Sequence, residues 1–331
     1  MQIFVLAVVR PRAPPSAGAT GRPNPAGAWR PPAAGGVSPP AAGGAAACGH
    51  DAGDKSRTRL SDIEQGVQLA REKGIRAVVS LGGGAVIDAG KAIAALVPAA
   101  GPVIDYLEVV GTGRQLEASP LPFVAIPTTA GTGAEVTKNA VINVPEQQRK
   151  VSLRDDRMLP DTAIVDPALT DNAPRSITLS SGLDALTRDR ARLCSRATPF
   201  TDALCQQAIP RGIRALKILM EQECPASRDE MAGSACAADW RWRTPGWGVI
   251  HGLAGPLGGL SRASHGALCG SLLPFGTALN ESQINDHACA SALTMSAAGW
   301  PTGWTSLWIR SGTVCGNGAI ALALAPCATS A

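Results

Sequence analysis

The chain has 331 residues, of which 45% are hydrophobic and 17% are charged, which is ordinary for a water-soluble globular protein and long enough for two domains. The formal net charge is only +4, and the basic residues are scattered without interleaved aromatics, so we expect no nucleic-acid partner. No apolar run reaches membrane-spanning length, and the nine cysteines form neither a CxxC pair nor a regular spacing. We therefore expect a cytoplasmic protein without membrane contact, disulfide framework or zinc ribbon.

Residues 1–57 predict an irregular arm rich in Pro, Ala and Gly. The segment 1–9, MQIFVLAVV, is apolar, but it has no leading basic region and is too short to span a bilayer, although a degenerate export signal is an alternative. Residues 10–55 hold almost no large apolar side chains, so they cannot bury enough surface to offset chain entropy.

Residues 58–174 alternate between helical and strand patterns. We predict an amphipathic helix over 60–73, a strand over 77–81, a helix to about residue 96 and a strand over 123–126. Segments 141–143 and 151–153 pair as strands around PEQQR, and 163–165 forms a last short strand. The alternation predicts an α/β cofactor-binding domain with a mainly parallel sheet that is covered on both faces.

A triple glycine, Gly82, Gly83 and Gly84, joins the strand over 77–81 to the following helix. Unpaired N–H groups and the helix dipole at such a turn make an anion site. The pattern is not the GxGxxG fingerprint, so a tight turn that binds no ligand is an alternative.

A second stretch, LPFVAIPTTAGTGAEVT at 121–137, has an apolar strand that stops at Pro127. The hydroxyls of Thr128, Thr129 and Thr132 can donate to phosphate or ribose oxygens, and the glycines allow close approach of a ligand. An ordinary strand-to-loop transition is the alternative for this stretch taken alone.

Together the two stretches resemble the iron-containing alcohol dehydrogenase family, which carries GGGSxxDxxK followed at about this interval by PTTxGTGxE. Here the first segment runs from Gly82 to Lys91 with Ala85 in the serine position, and the second runs from Pro127 to Glu135. A sugar-phosphate-cyclising synthase of related fold matches the second segment less well. The resemblance, over roughly 62–232 and 250–281, implies NAD or NADP bound by Gly82, Gly83, Gly84, Asp88, Thr128, Thr129, Thr132 and Lys150.

Residues 175–285 predict an all-α domain, with helices over 180–187, 199–220 and, with breaks, 252–273. SGLDALT carries Asp184, while His251 and His265 stand fourteen residues apart and are each followed by glycine. The resemblance implies that these three residues hold Fe²⁺ or Zn²⁺ as a Lewis acid on a small alcohol, aldehyde or keto substrate. A lone histidine would more often be structural. The oligomeric state stays open, and a homodimer is one alternative.

Two positions depart from the family pattern. Arg188 stands where members commonly place a further metal histidine, four residues after Asp184, and a guanidinium neither ligates nor tolerates a nearby cation. Gly255 replaces the second histidine of HGxxH. Both departures concern the metal and substrate side of the site rather than the cofactor motifs.

The seven tryptophans fall in segments that do not match the family, including ADWRWRTPGWG at 238–248 and the unmatched, irregular tail predicted for 286–331. Because shifted reading of GC-rich codons readily yields tryptophan, we hypothesise compensated frameshifts around 188–194 and 233–248 and at both termini. Arg241, Arg243 and Pro245 would disfavour the apolar helix that relatives carry there. The alternative to an enzyme is a non-catalytic remnant with at most residual nucleotide binding.

Overall fold

A computed structural model describes residues 2–5, 46–49, 58–192, 199–239, 249–261 and 263–283. The strands of this part of the chain are β1 (Gln2–Val5), β2 (Ala46–Gly49), β3 (Val78–Gly82), β4 (Phe123–Pro127), β5 (Asn139–Val144), β6 (Arg149–Arg154) and β7 (Thr162–Ala163). Five of them form one sheet in the order β2-β1-β3-β4-β7, and β5 pairs with β6 in a separate hairpin.

The centre of the five-stranded sheet is parallel. Strand β3 pairs with β4 from Val78 opposite Phe123 to Gly82 opposite Pro127, and β4 pairs with β7 in the same direction. Strand β1 joins β3 and β2 antiparallel. The predicted α/β class is therefore confirmed, with an antiparallel extension at one edge.

That extension corrects part of the predicted irregular arm. Within residues 1–57 the structure describes β1 and β2, and both belong to the sheet. The residue types of β1, which include Ile3, Phe4 and Val5, suit a strand, whereas the Ala and Gly of β2 do not. Pairing with the neighbouring strand, not local propensity, decides the conformation of β2. The remaining residues of the arm lie outside the described ranges.

Two helices accompany the parallel strands, α1 (Leu60–Glu72) and α2 (Gly84–Leu96). Helix α1 buries Ile63, Val67 and Ala70, which lie on one face by their spacing. Helix α2 is buried on nearly all sides because it packs against α1, β3, β4 and β5.

Lys91 is the exception to the apolar surroundings of α2, since its side chain is only 1% exposed. Its Nζ donates to the carbonyl of Thr137 at 3.0 Å, to the Thr137 hydroxyl at 2.9 Å and to the carbonyl of Asn139 at 2.6 Å. A buried ammonium needs such compensation. Lys91 thus fixes the chain segment that leads into β5 onto α2.

From Arg175 onward the described residues are almost entirely helical. The helices are α3 (Arg175–Arg192), α4 (Pro199–Glu221), α5 (Pro225–Asp239), α6 (Val249–Leu260) and α7 (His265–Gln283). Their core includes Leu183, Leu186, Leu216, Leu219 and Met231. None of the described helices is both long and apolar enough to cross a membrane.

The sequence did not predict α5, and it joined α6 and α7 into one broken helix. Helix α5 lacks a stripe of large apolar residues and buries mainly Met231, Ala232 and Ala235, so its periodicity is weak. The tryptophan-containing segment 240–248 and the predicted tail 286–331 lie outside the described residues.

Candidate metal centre and cofactor site

Three helices bring the predicted metal ligands together. Asp184 is on α3, His251 on α6 and His265 on α7. The Nε2 of His251 lies 3.2 Å from Oδ1 of Asp184, and the Nε2 of His265 lies 3.8 Å from the same oxygen. The two imidazole rings stand 5.4 Å apart between centroids. Asp184 and the two histidines, which follow it by 67 and 81 positions in the chain, therefore point their ligand atoms at one small volume.

The cluster is mostly shielded from water. The side chains of Asp184 and His251 are 5% and 4% exposed, whereas that of His265 is 32% exposed. A carboxylate buried at this depth needs compensating charge or hydrogen bonds. One carboxylate oxygen with two imidazole nitrogens is a donor set that suits Zn²⁺ or Fe²⁺, so the residues present fit a divalent metal. Access from solvent is on the His265 side.

The structure adds a fourth candidate ligand, Cys269, that the sequence analysis missed. Its side chain is fully buried, and its Sγ lies 3.6 Å from Nε2 of His265. The ligand atoms of Asp184, His251, His265 and Cys269 all lie within 4.8 Å of one another. The signal was available, because residues four apart on a helix share a face and Cys269 follows His265 by four.

Two glycines allow α7 to approach α3 at the cluster. A Cβ on Gly266 would lie 1.9 Å from the carbonyl oxygen of Ser180, and one on Gly270 would lie 2.6 Å from Cδ1 of Leu183. Only residues without a side chain permit this contact. Because His265 and Cys269 immediately precede these glycines, the close packing carries both ligands to Asp184.

Arg188 belongs to α3, one turn after Asp184, but its side chain lies outside the described part of the structure. The sequence argument about this residue therefore stays a prediction. Gly255 is in α6, where a Cβ would meet no atom within 4 Å.

The two predicted cofactor motifs meet at the carboxyl ends of adjacent strands. Gly82 ends β3 opposite Pro127 of β4, and the N–H of Thr128 donates to the carbonyl of Gly82 at 2.9 Å. A Cβ on Gly83 would lie 3.4 Å from Thr129, and one on Gly84 would lie 2.9 Å from Thr132. The glycine turn thus packs directly on the threonine loop, which we define as residues 128–133.

This turn has the features that a nucleotide needs. Helix α2 begins at Gly84, so its first N–H groups and its positive dipole end face the turn. The hydroxyl of Thr129 is buried and has no hydrogen-bond partner in the described part of the chain. A buried hydroxyl without a partner is costly, and a ligand oxygen would satisfy it. The residues present therefore fit a dinucleotide phosphate or ribose.

The structure engages Asp88 and Lys150 in other contacts. An Asp88 carboxylate oxygen accepts from the N–H of Val141 at 3.1 Å, and the other lies 3.6 Å from Nζ of Lys91, so this residue anchors β5 to α2. Lys150 is on β6, and a Cβ on Gly258 of α6 would lie 3.4 Å from its Nζ. Both residues remain predictions as cofactor ligands, and Lys150 borders the helix of His251.

The threonine loop also contacts α3, the helix that carries Asp184. Gly131 has φ +147° and its backbone lies so close to α3 that a Cβ would stand 1.8 Å from the carbonyl oxygen of Ser181. Ser181 precedes Asp184 by three residues, which is about 4.5 Å along a helix axis. The threonine loop and the Asp184 cluster are therefore immediate neighbours.

An α/β unit whose glycine turn and threonine loop adjoin a helical cluster of one carboxylate and two histidines has the arrangement expected of proteins that hold a nucleotide and a divalent metal side by side. Family comparison agrees with this. The sequence-family model described as "Iron-containing alcohol dehydrogenase" matches residues 46–167. A second family model, described as "Fe-containing alcohol dehydrogenase family, C-terminal", matches residues 178–300. The chain belongs to the iron-containing alcohol dehydrogenase family.

Individual relatives support the assignment. The chain is 37% identical to long-chain-alcohol dehydrogenase 1 of Geobacillus thermodenitrificans over 218 residues, which cover 65% of this chain and 54% of the relative. A solved iron-containing alcohol dehydrogenase aligns with TM-score 0.67 and 28% identity over 79% of this chain and 69% of its own. Sulfoacetaldehyde reductase of Bifidobacterium kashiwanohense, solved with NAD⁺, aligns with TM-score 0.67 and 26% identity over 77% and 69%. The chain spans about half the length of the curated relatives it matches.

Proposed function

We propose that this chain is a metal-dependent oxidoreductase that transfers hydride between NAD or NADP and a small alcohol or carbonyl compound. The observation that carries the proposal is the contact between the threonine loop and α3, which sets a predicted cofactor site beside a ligand cluster. The contact joins Gly131 to Ser181, one helical turn before Asp184. Hydride transfer requires a nicotinamide and an activated oxygen to be held close together.

The ligand cluster, the glycine turn and the threonine loop would each contribute to this reaction. Asp184, His251 and His265 would hold Fe²⁺ or Zn²⁺, which supplies Lewis-acid polarisation of the substrate oxygen. The glycine turn and the hydroxyls of Thr128, Thr129 and Thr132 would hold the dinucleotide. The burial of Asp184 and His251 would limit water at the reacting centre.

The substrate is proposed as a class only. The relatives are named for a long-chain alcohol and for sulfoacetaldehyde, which differ in size and charge but share an alcohol or aldehyde carbon. We therefore propose an alcohol, aldehyde or keto substrate for this chain, and its small size is proposed from the family resemblance of the sequence. A cytoplasmic location is proposed from the sequence, in which the nine cysteines form neither a CxxC pair nor a regular spacing.

The test is oxidation of NADH and of NADPH by the full chain, reconstituted with Fe²⁺ or Zn²⁺ under reducing, oxygen-free conditions, with a panel of aldehydes and keto acids. We expect turnover that depends on added metal and is abolished in Asp184→Asn, which keeps the side-chain volume but removes the charge. The matched control is Asp229→Asn, an exposed carboxylate on α5 outside the cluster.

Turnover that is equal with and without metal, or that survives Asp184→Asn, would contradict the proposed chemistry. NADH binding without metal retention and without turnover on any substrate would favour the remnant alternative, which keeps at most residual nucleotide binding. The frameshift hypothesis is tested separately by resequencing the gene.

A further inference from the structure

We propose that Cys269 supplies the fourth protein ligand of the metal centre, in place of the histidine that the family commonly carries where this chain has Arg188. The inference rests on the metal site proposed above but not on dehydrogenase turnover. It concerns a side chain that is fully buried, lies on the same helix as His265 and faces the same volume as the other three ligands.

Two of the ligand–ligand distances in the cluster match those of a tetrahedral zinc site. With Zn–S of about 2.3 Å and Zn–N of about 2.05 Å, a tetrahedron places sulfur and nitrogen about 3.6 Å apart and two nitrogen or oxygen ligands about 3.3 Å apart. The Sγ of Cys269 lies 3.6 Å from Nε2 of His265, and Nε2 of His251 lies 3.2 Å from Oδ1 of Asp184. The third distance, 3.8 Å between His265 and Asp184, is a few tenths of an ångström longer.

Helix geometry explains why the thiol and the imidazole meet. Residues at positions i and i+4 lie one above the other on a helix, so Cys269 presents its sulfur to the face that carries His265. Gly266 and Gly270, each one residue farther on, face α3 and bring this pair toward Asp184.

A thiolate changes which metal the centre prefers. Soft sulfur ligands favour Zn²⁺, and with four protein ligands in place the substrate oxygen of the function proposed above would enter as a fifth ligand, since zinc sites can expand to five-coordinate. The proposal therefore predicts a centre that binds Zn²⁺ tightly and joins α3, α6 and α7. Removal of the thiol would leave three ligands and an open position.

The test uses Co²⁺ as a spectroscopic substitute for Zn²⁺ in the full chain. A cobalt–thiolate bond gives a near-ultraviolet charge-transfer absorption that a carboxylate and imidazoles do not give. We expect this band in the wild-type protein and its loss in Cys269→Ser, with Zn²⁺ affinity weakened about 10-fold or more. The control is Cys205→Ser, which alters a buried thiol on α4 outside the cluster and should keep the band.

A measurement without any variant complements this series. X-ray absorption at the zinc edge of the wild-type protein should show one sulfur at about 2.3 Å. Cobalt binding without the charge-transfer band, a band that persists in Cys269→Ser, or a zinc shell without sulfur would each overturn the assignment of Cys269 while the metal site stands. Failure of the wild-type protein to bind cobalt or zinc would overturn the metal site itself, and with it the proposed function.

Discussion

Substitution of Gly131 by alanine probes the junction between the threonine loop and α3. The added Cβ would lie 1.8 Å from the carbonyl oxygen of Ser181 and 2.4 Å from its carbonyl carbon. Both atoms belong to the backbone of a buried helical segment, so no side-chain rotation relieves the contact. To reach the 3.4 Å of an ordinary contact, loop and helix must separate by about 1.6 Å.

The energetic cost has two components. A residue other than glycine at φ +147° costs about 1–3 kcal/mol, and forced overpacking costs about 1–3 kcal/mol more. The geometric consequence is larger for activity than for stability, since a misplacement of about 1 Å between reacting groups can cost about 100-fold in rate. We therefore expect Gly131→Ala to lower the free energy of unfolding by about 2–6 kcal/mol and kcat/KM by about 100-fold.

The assays are urea unfolding and NADH oxidation, with Gly113→Ala as the matched control. Gly113 also has positive φ, at +65°, but a Cβ there would meet no atom within 4 Å, so its substitution isolates the cost of the backbone conformation. Equal destabilisation by the two substitutions, with unchanged kcat/KM in Gly131→Ala, would refute the claim that loop and helix are in close contact.

Three further predictions concern a glycine beside the ligand cluster, a hydroxyl of the threonine loop and an ion pair in the helical part of the chain. Gly266→Ala should separate α7 from α3 and weaken metal binding, measured by zinc titration, whereas Gly252→Ala, where a Cβ meets no atom within 4 Å, should not. Thr129→Val should raise the KM for NADH about 2–10-fold, because that factor corresponds to the net free energy of one hydrogen bond, and it should leave the metal content unchanged. Hydrogen bonds from Arg228 hold the pKa of Glu223 below its usual range. Because folding lowers that pKa, the ion pair stabilises the fold above the unfolded pKa of about 4.3, and the stabilisation is lost as pH falls through the folded pKa. Glu223→Gln should therefore make the free energy of unfolding, measured by urea unfolding, depend less steeply on pH in the acid range.

Much of the fold around the site was predictable because its signals are local. A few consecutive residues suffice to predict the glycine turn, the strand that ends at Pro127 and the hairpin around PEQQR. The paired histidines carried the metal prediction, and the structure places both beside Asp184.

The features that sequence missed depend on contacts between distant segments. Strand β2 forms from Ala and Gly because a neighbouring strand pairs with it, and α5 has too few large apolar residues to show a period. Cys269 follows His265 by four residues, but a cysteine at that spacing can equally be a small core residue, so the spacing alone did not predict a candidate ligand.

Lys91 illustrates the same limit within a recognised motif. The sequence placed it beside the predicted cofactor residues, but the structure shows its ammonium buried among acceptors from Thr137 and Asn139. Motif membership alone does not separate a residue that contacts a ligand from one that holds the loop around it.

The metal-to-chain ratio tests the central claim most directly. Purified protein would be reconstituted with Zn²⁺ or Fe²⁺, desalted and subjected to elemental analysis, in parallel with Asp184→Asn and the Asp229→Asn control. We expect about one tightly held metal ion per chain in the wild type and the control, and little or none in Asp184→Asn. A wild-type chain that retains no metal, or an Asp184→Asn chain that retains as much as the wild type, would contradict it.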